Sequence, residues 1–176
     1  MSLSLSLFHE CVEVILDNEG GFQNNPNDPG NWVGGFRTGI LVGTKYGIAA
    51  KFFPDVDIKN LTRHDAADLY YEYYWKRMNL EGINNPEIVL QIFDMGVNAG
   101  KANAIRKAQR LAEVKPDGIM GDVTKKAINN YCGDFLFAYK HARKVYYEWL
   151  AENKPWAKKF LKGWLNRVEE TRLFYE

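Results

Sequence analysis

The segment from Glu87 to Val97 constrains the fold most. Within it Ile88, Val89, Leu90, Ile92 and Phe93 leave almost no polar face. A helix that is apolar nearly all round is stable only when other elements cover it. Pro86 suits the first turn of such a helix, and Asn98 and Gly100 end it. The chain is therefore expected to be an α bundle built round this helix. Apolar spacing supplies covering helices at about Leu5 to Glu19, Thr62 to Met78, Lys101 to Glu113, Asp122 to Tyr131, Asp134 to Glu152 and Lys158 to Phe174. Thr62 opens a capping-box-like Thr-Arg-His-Asp, and Asp122 is placed to cap the helix after it. Between Gly20 and Ile48 glycine is dense, and Gly39-Ile40-Leu41-Val42-Gly43 predicts a small β-hairpin or ribbon. A short helical segment is expected from Ala49 to Phe53, ahead of Pro54. With 176 residues, 46% of them hydrophobic, there is material for one core or two small lobes. No flexible linker interrupts Ala99 to Lys101, so residues 1–100 and 101–176 are expected to pack as one compact unit.

The first helix carries a carboxylate at its end. Phe8, Cys11, Val12 and Ile15 recur at helical spacing, and Glu19 falls four residues after Ile15 on the same stripe. Gly20 and Gly21 follow at once and suit the left-handed cap that ends a helix. Glu19 is thus expected at the rim of a core beside the partly negative helix C-terminus, where desolvation and the dipole both work against a charged carboxyl. A carboxylic acid that keeps its proton near neutral pH is what a general acid for glycosidic cleavage requires. The plainer alternative is a solvated Glu at a frayed helix end.

Asp28 follows inside Asn-Pro-Asn-Asp-Pro-Gly, a run of turn formers. Further on come Thr44-Lys45-Tyr46-Gly47-Ile48, the segment Phe93 to Gly100, and the run Asp117 to Ile128. An acid at a helix end, an Asp in the next loop and a Thr before Tyr-Gly-Ile resemble the active-site order of phage-type lysozymes. In its E-G-G-F, D-P-G and T-K-Y-G-I form, the order is similar to glycoside hydrolase family 108, muramidases found as phage endolysins and as secretion-activator proteins. Phe93 to Gly100 resembles that family's buried helix ending in V-N-x-G. Asp117 to Ile128 resembles the D-G-x-x-G-x-x-T-x-x-A-I signature of its C-terminal peptidoglycan-binding-like half. Each motif alone is weak; four in the right order, covering nearly the whole chain, are strong. One departure lies between Asp28 and Thr44, where Trp32 to Gly43 is longer than a minimal D-x-G-G-x-T-x-Y-G-I pattern needs. Thr38, in Arg37-Thr38-Gly39-Ile40, therefore competes with Thr44 as the catalytic threonine, and the Tyr before Gly47 favours Thr44.

The resemblance implies a mainly α, lysozyme-like helical bundle with a small β-hairpin or ribbon after the first helix. It implies a catalytic half at 1–100, a helical peptidoglycan-binding-like half at 101–176, and cleavage of the β-1,4 bond between N-acetylmuramic acid and N-acetylglucosamine. Glu19 would protonate the leaving oxygen. Asp28 would activate a water on the far face of the sugar or stabilise the oxocarbenium-like charge, and Thr44 would hold that water. Tyr46 and Asn98 would line the cleft and touch substrate. Plainer roles stand beside these: Asp28 as a turn cap, Thr44 as a strand residue, Asn98 as a helix C-cap. A non-catalytic wall-binding or secretion-accessory protein and a lytic transglycosylase using Glu19 alone are the competing activities. No cofactor is implied, and the partners are peptidoglycan glycan strands.

Formal net charge is only +1, but it is unevenly spread. Residues 1–100 hold 7 Lys and Arg against 13 Asp and Glu, a balance of −6, and residues 101–176 hold 16 against 9, a balance of +7. The second half therefore suits an anionic polymer, unless its basic faces are simply solvated. No nucleic-acid motif accompanies the basic residues, so nucleic acid is not an expected partner. Tyr70, Tyr71, Tyr73, Tyr74 and Trp75 fit interhelical packing, with sugar stacking the alternative. Cys11 and Cys132 have apolar sequence neighbours and read as buried free thiols, a single disulfide being the alternative. His9, His64 and His141 lack metal-ligand spacing, and no metal site is expected. No apolar run reaches membrane-spanning length and no secretory signal is read. The expectation is a monomer made in the cytoplasm that acts at the bacterial cell wall or periplasm, delivered by lysis, a holin-type pore or another export partner.

Overall fold

A computed structural model describes residues 3–173, the side chains of residues 3 and 4 aside. The last helix ends at Glu170, with Thr171 extended, short of its expected end at Phe174, a residue that itself lies outside the described ones. The chain divides into two compact units, Val12–Tyr71 and Met1–Cys11 with Glu72–Glu176. Helix α1 (Leu3–Asn18) contributes to both, and its stripe of Phe8, Cys11, Val12 and Ile15 is buried.

In the Val12–Tyr71 unit, the Glu19 N–H still donates to the Ile15 carbonyl at 3.0 Å, so residue 19 closes the last turn of α1. Neither Gly20 nor Gly21 takes a positive φ, so the expected left-handed cap is not used. The helix end is instead tied to a hairpin turn: the Gly20 carbonyl accepts from the Tyr46 N–H at 3.1 Å. Gln23 and Thr44 exchange backbone bonds of 2.9 and 2.8 Å in an antiparallel bridge. Two small hairpins follow. Strand β1 (Trp32–Val33) pairs with β2 (Ile40–Leu41), Trp32 opposite Leu41, and β3 (Thr44–Lys45) pairs with β4 (Ile48–Ala49), Thr44 opposite Ala49. Tyr46 and Gly47 close the second hairpin with φ of 50° and 73°; positive φ at both central residues matches the twist of a two-residue hairpin. The helix expected at Ala49 to Phe53 is absent. Ile48 and Ala49 belong to the strand, and only a turn follows, with the Phe52 and Phe53 N–H groups on the Ala49 carbonyl at 3.0 and 3.2 Å. Pro54 brings no N–H to prolong it and disfavours helical geometry at Phe53. Helix α2 (Arg63–Tyr70) opens with the capping box: the Thr62 hydroxyl accepts from the Asp65 N–H at 3.1 Å, and the Asp65 carboxylate accepts from the Thr62 N–H at 3.0 Å.

After α2 the chain passes through a wider π turn, Tyr71–Trp75, into α3 (Lys76–Met78), which stops at the left-handed Asn79. In the larger unit, Trp75 is buried edge-on against Phe93 at 5.2 Å and Phe8 at 5.3 Å, so this part of the aromatic run serves packing. Helix α4 (Pro86–Ala99) is buried from Ile88 through Gly96, as its composition demands. Each fully buried side chain the size of Ile, Leu or Phe stabilises by about 1.5–3 kcal/mol. Helices α5 (Lys101–Leu111) and α7 (Phe135–Asn153) pack on α4, α6 (Asp122–Asn129) packs on α5, and α8 (Leu161–Glu170) packs on α7. The helices on either side of residue 100 thus share a unit.

Asp94 is the one charge within the apolar run, and it is fully buried. Arg143, also fully buried, pairs with one of its oxygens and donates to Gln91, while Arg167 reaches the other oxygen at 2.9 Å. One buried carboxylate thus serves two guanidiniums, and losing Asp94 would leave the buried Arg143 charge uncompensated. Gln109, 1% exposed, organises the Asp117 to Ile128 run. Its amide nitrogen donates to Asp117 at 2.8 Å, Thr124 at 3.2 Å and the Ile119 carbonyl at 3.0 Å, and its oxygen accepts from the Gly118 N–H at 2.8 Å. The Asp, Gly and Thr of that motif are therefore held by one buried amide. Asp122 is not the cap of α6: Gly121 occupies the capping position, and Asp122 is the first residue of the helix. Its charge there still complements the helix dipole.

Both cysteines are free. Cys11 is buried, and burial pushes its thiol far up, which makes it unreactive. Cys132, expected to be buried, is exposed instead. It lies in the connection between α6 and α7, and connections run over the surface whatever their neighbours in sequence. The fold is mainly α with small antiparallel strand pairs, as expected, and no helix among the described residues is long and apolar enough to cross a membrane.

Candidate active site

The end of α1 meets the second hairpin by register. Gln23 opposite Thr44, extended by the Tyr46 to Gly20 bond, runs the two segments antiparallel and brings residue 19 beside residue 47. The half-buried Glu19 carboxyl lies against the open face of Gly47: a Cβ on that glycine would come within 3.0 Å of Glu19 Oε2 and would clash with the Tyr70 hydroxyl. Tyr70 is itself buried, and its hydroxyl donates to the Tyr46 carbonyl at 3.0 Å. The helix end, the hairpin turn and a phenol from α2 thus fix the surroundings of Glu19. Tyr46 contributes its backbone at both ends, and its half-exposed ring lies under the Lys45 ammonium at 5.5 Å.

A second group of side chains stands on the same hairpin. Asp28 caps the 3-10 turn Pro29–Asn31, one oxygen accepting from the Gly30 N–H at 2.8 Å and the other from the Gln23 amide at 3.1 Å. Asn31 is the buried hub, 0% exposed. It donates to Gln23 at 2.8 Å and to the Asn25 carbonyl at 3.0 Å, and its own oxygen accepts from the Thr44 hydroxyl at 2.6 Å. Asp28 and Thr44 are therefore linked through Gln23 and Asn31, two residues for which the sequence reading had no role. The long segment between them is accommodated without disturbing this link. Trp32 to Leu41 folds on itself as β1 and β2, and the Val42 and Gly43 N–H groups both return to the Asn31 carbonyl, at 2.8 and 3.1 Å. Thr38 falls in the turn of that extra hairpin, its N–H on the Gly35 carbonyl at 3.3 Å, while Thr44 takes the place in the network.

Asn98 lies in the other compact unit, in the last turn of α4, where its amide donates to the Tyr147 hydroxyl at 2.8 Å. Glu19, Asp28, Thr44 and Tyr46 are thus gathered in one unit, with Gln23, Asn31 and Tyr70 as partners that share it.

Known families account for both parts of the chain. The model of Glycosyl hydrolase 108 matches residues 12–100. The chain belongs to this family. A second model, described as Predicted Peptidoglycan domain, matches residues 103–169. Among solved structures, SagA of Brucella abortus superimposes with a TM-score of 0.73 at 24% identity, over 95% of this chain and 92% of SagA, so the fold is shared. A search of curated proteins finds no match. Membership in Glycosyl hydrolase 108, with a peptidoglycan domain behind it, makes this a peptidoglycan-related hydrolase or binding protein, and every residue of the Glu19 and Asn31 groups falls inside the Glycosyl hydrolase 108 match.

Proposed function

We propose that this chain is a muramidase that cleaves the β-1,4 bond between N-acetylmuramic acid and N-acetylglucosamine in peptidoglycan, with Glu19 as general acid. The observation that carries this reading is the half-buried Glu19 carboxyl held against Gly47, beside the Tyr70 hydroxyl. A carboxyl oriented by surrounding backbone, yet open on one side, can donate a proton to a glycosidic oxygen as the bond breaks. Asp28, aligned by Gly30 and Gln23, serves the positive charge that develops at the anomeric carbon or directs a water to it. The Thr44 hydroxyl donates to Asn31 and can still accept a hydrogen bond from that water. Residues 101–176 hold the wall through their positive balance. Delivery by lysis, a holin-type pore or a secretion route belongs to the same reading, as an endolysin or a secretion activator.

One observation favours a second reading. Both Asp28 oxygens already accept bonds, one from the Gly30 N–H that caps the 3-10 turn and the other from the Gln23 amide. In a lytic transglycosylase Glu19 would act alone, first giving its proton to the leaving oxygen and then removing one from the sugar's own 6-hydroxyl as the anhydro ring closes. Mass spectrometry of products from purified peptidoglycan separates the two: reducing ends for the hydrolase, anhydro ends for the transglycosylase, no products for a binder. Glu19→Gln keeps the shape and removes the proton, so product formation should fall by ~10²–10⁴-fold with folding unchanged. Full activity in the folded variant would remove Glu19 from the mechanism.

A further inference from the structure

Beyond the end of α7 the chain reads Lys154-Pro155-Trp156-Ala157-Lys158-Lys159-Phe160-Leu161-Lys162-Gly163-Trp164. No Asp or Glu occurs from Lys154 to Val168, and the next acid, Glu169, is paired with Lys140 and Lys144. Within this cationic stretch Trp156 and Phe160 are 57% and 44% exposed, and Lys158, Lys159 and Lys162 are exposed around them. On one flank Glu148 and Glu152 of α7 line a cavity with Pro155, Lys158 and Leu161, so the basic character is that of the segment itself; large apolar side chains left in water beside its lysines mark a contact surface.

The geometry of the rings narrows the partner. Trp156, Phe160 and Trp164 form one cluster, with centroids 6.4, 5.6 and 6.2 Å apart. They are not a coplanar row: the two indoles stand at 86°. The half-buried Trp164 is stacked on Tyr147 at 5.1 Å, and the Lys159 ammonium covers the Phe160 ring at 4.8 Å. A glycan chain would need flat faces presented side by side, and two of these faces are already taken. What the cluster offers is a wedge of ring edges ringed by flexible ammonium groups. Aromatic rings of this kind sit at the headgroup level of a bilayer while neighbouring lysines reach its anionic phosphates.

We propose that this surface docks the protein on an anionic lipid membrane, the Trp156 and Phe160 tips entering the headgroup layer and the three lysines contacting lipid phosphates. The surface lies outside the Val12–Tyr71 unit and does not depend on the reaction proposed for Glu19.

The test uses the full chain, sedimented with phosphatidylcholine vesicles and with the same vesicles carrying phosphatidylglycerol. The protein should pellet with the anionic vesicles, release as salt is raised, and stay in solution with the neutral ones. Each basic residue near an anionic surface is worth about fivefold in binding, so combining Lys158→Gln, Lys159→Gln and Lys162→Gln should weaken it by on the order of a hundredfold. Trp156→Ser with Phe160→Ser, both at exposed positions and checked for folding by circular dichroism, should also lose binding. No binding to anionic vesicles, equal binding to both kinds, or folded variants that bind like the parent would overturn the proposal. So would a serine variant that keeps its vesicle binding and loses binding to purified sacculi, since that result assigns the surface to glycan.

Discussion

Two regions of this molecule each join an Asp to a Thr through side-chain amides, and they are put to different use. Around Gln109, the amide spends every donor and acceptor on Asp117, Thr124 and the intervening loop, and Thr124 is only 4% exposed. Around Gln23 and Asn31 the hub is just as buried, but Thr44 remains half-buried at the surface. Thr44 also shares its hairpin with the turn that faces Glu19. The bonding chemistry is alike in both. What separates a loop brace from a candidate site is whether the threonine can still be reached and whether an independent carboxyl stands nearby.

The comparison can be broken most directly at Asn31. Asn31→Leu removes the hub, so Asp28 and Thr44 should shift, and a displacement of ~1 Å in a catalytic constellation can cost ~10²-fold in rate. Turnover on peptidoglycan, normalised to folded protein, is the measurement; an unchanged value would make this network a brace like the other. The converse test is Gln109→Leu. Leaving the partners of a buried amide unsatisfied should cost about 1–3 kcal/mol in urea unfolding, with turnover per folded molecule intact. A selective loss of turnover there would abolish the distinction. The smallest effect is expected at Asp117, which is exposed. The Gln109 amide, and then the Ile119 N–H, hold its carboxyl below the usual carboxylate range. A depressed folded-state pKa contributes stability above the unfolded value, and that contribution is lost as pH falls through the folded one. Asp117→Asn should therefore slightly flatten the acid side of a plot of Tm against pH, and an identical acid limb would show that the bond has no influence on stability.

The helices were legible because each is written locally. Apolar period, Pro86 at a first turn and Thr62 with Asp65 in a capping box are contained within a few residues, and the observed spans agree closely. The ends of α1 and β4 were not legible, because their state depends on partners far along the chain. Gly20 gives its carbonyl to Tyr46 instead of turning left-handed, and Ala49 pairs with Thr44 instead of starting a helix. In the candidate site, the half-buried position of Glu19 followed from its stripe, and Asp28 and Thr44 stood in recognisable motifs. Gln23, Asn31 and Tyr70 carried no local mark. A buried asparagine between a Pro-Gly turn and a Trp looks like any loop residue until the Thr44 hydroxyl is seen on it, and Tyr70 looked like one more packing aromatic until its hydroxyl met the Tyr46 carbonyl.

Gly47 also limits how this sequence can drift. Its φ of 73° already disfavours any side chain, and a Cβ would strike the Tyr70 hydroxyl and crowd the Glu19 carboxyl. Position 47 cannot gain even a methyl group while both neighbours stay where they are. A side chain at position 47 therefore needs compensating changes at Tyr70 and Glu19, so a descendant that keeps both of them keeps the glycine as well.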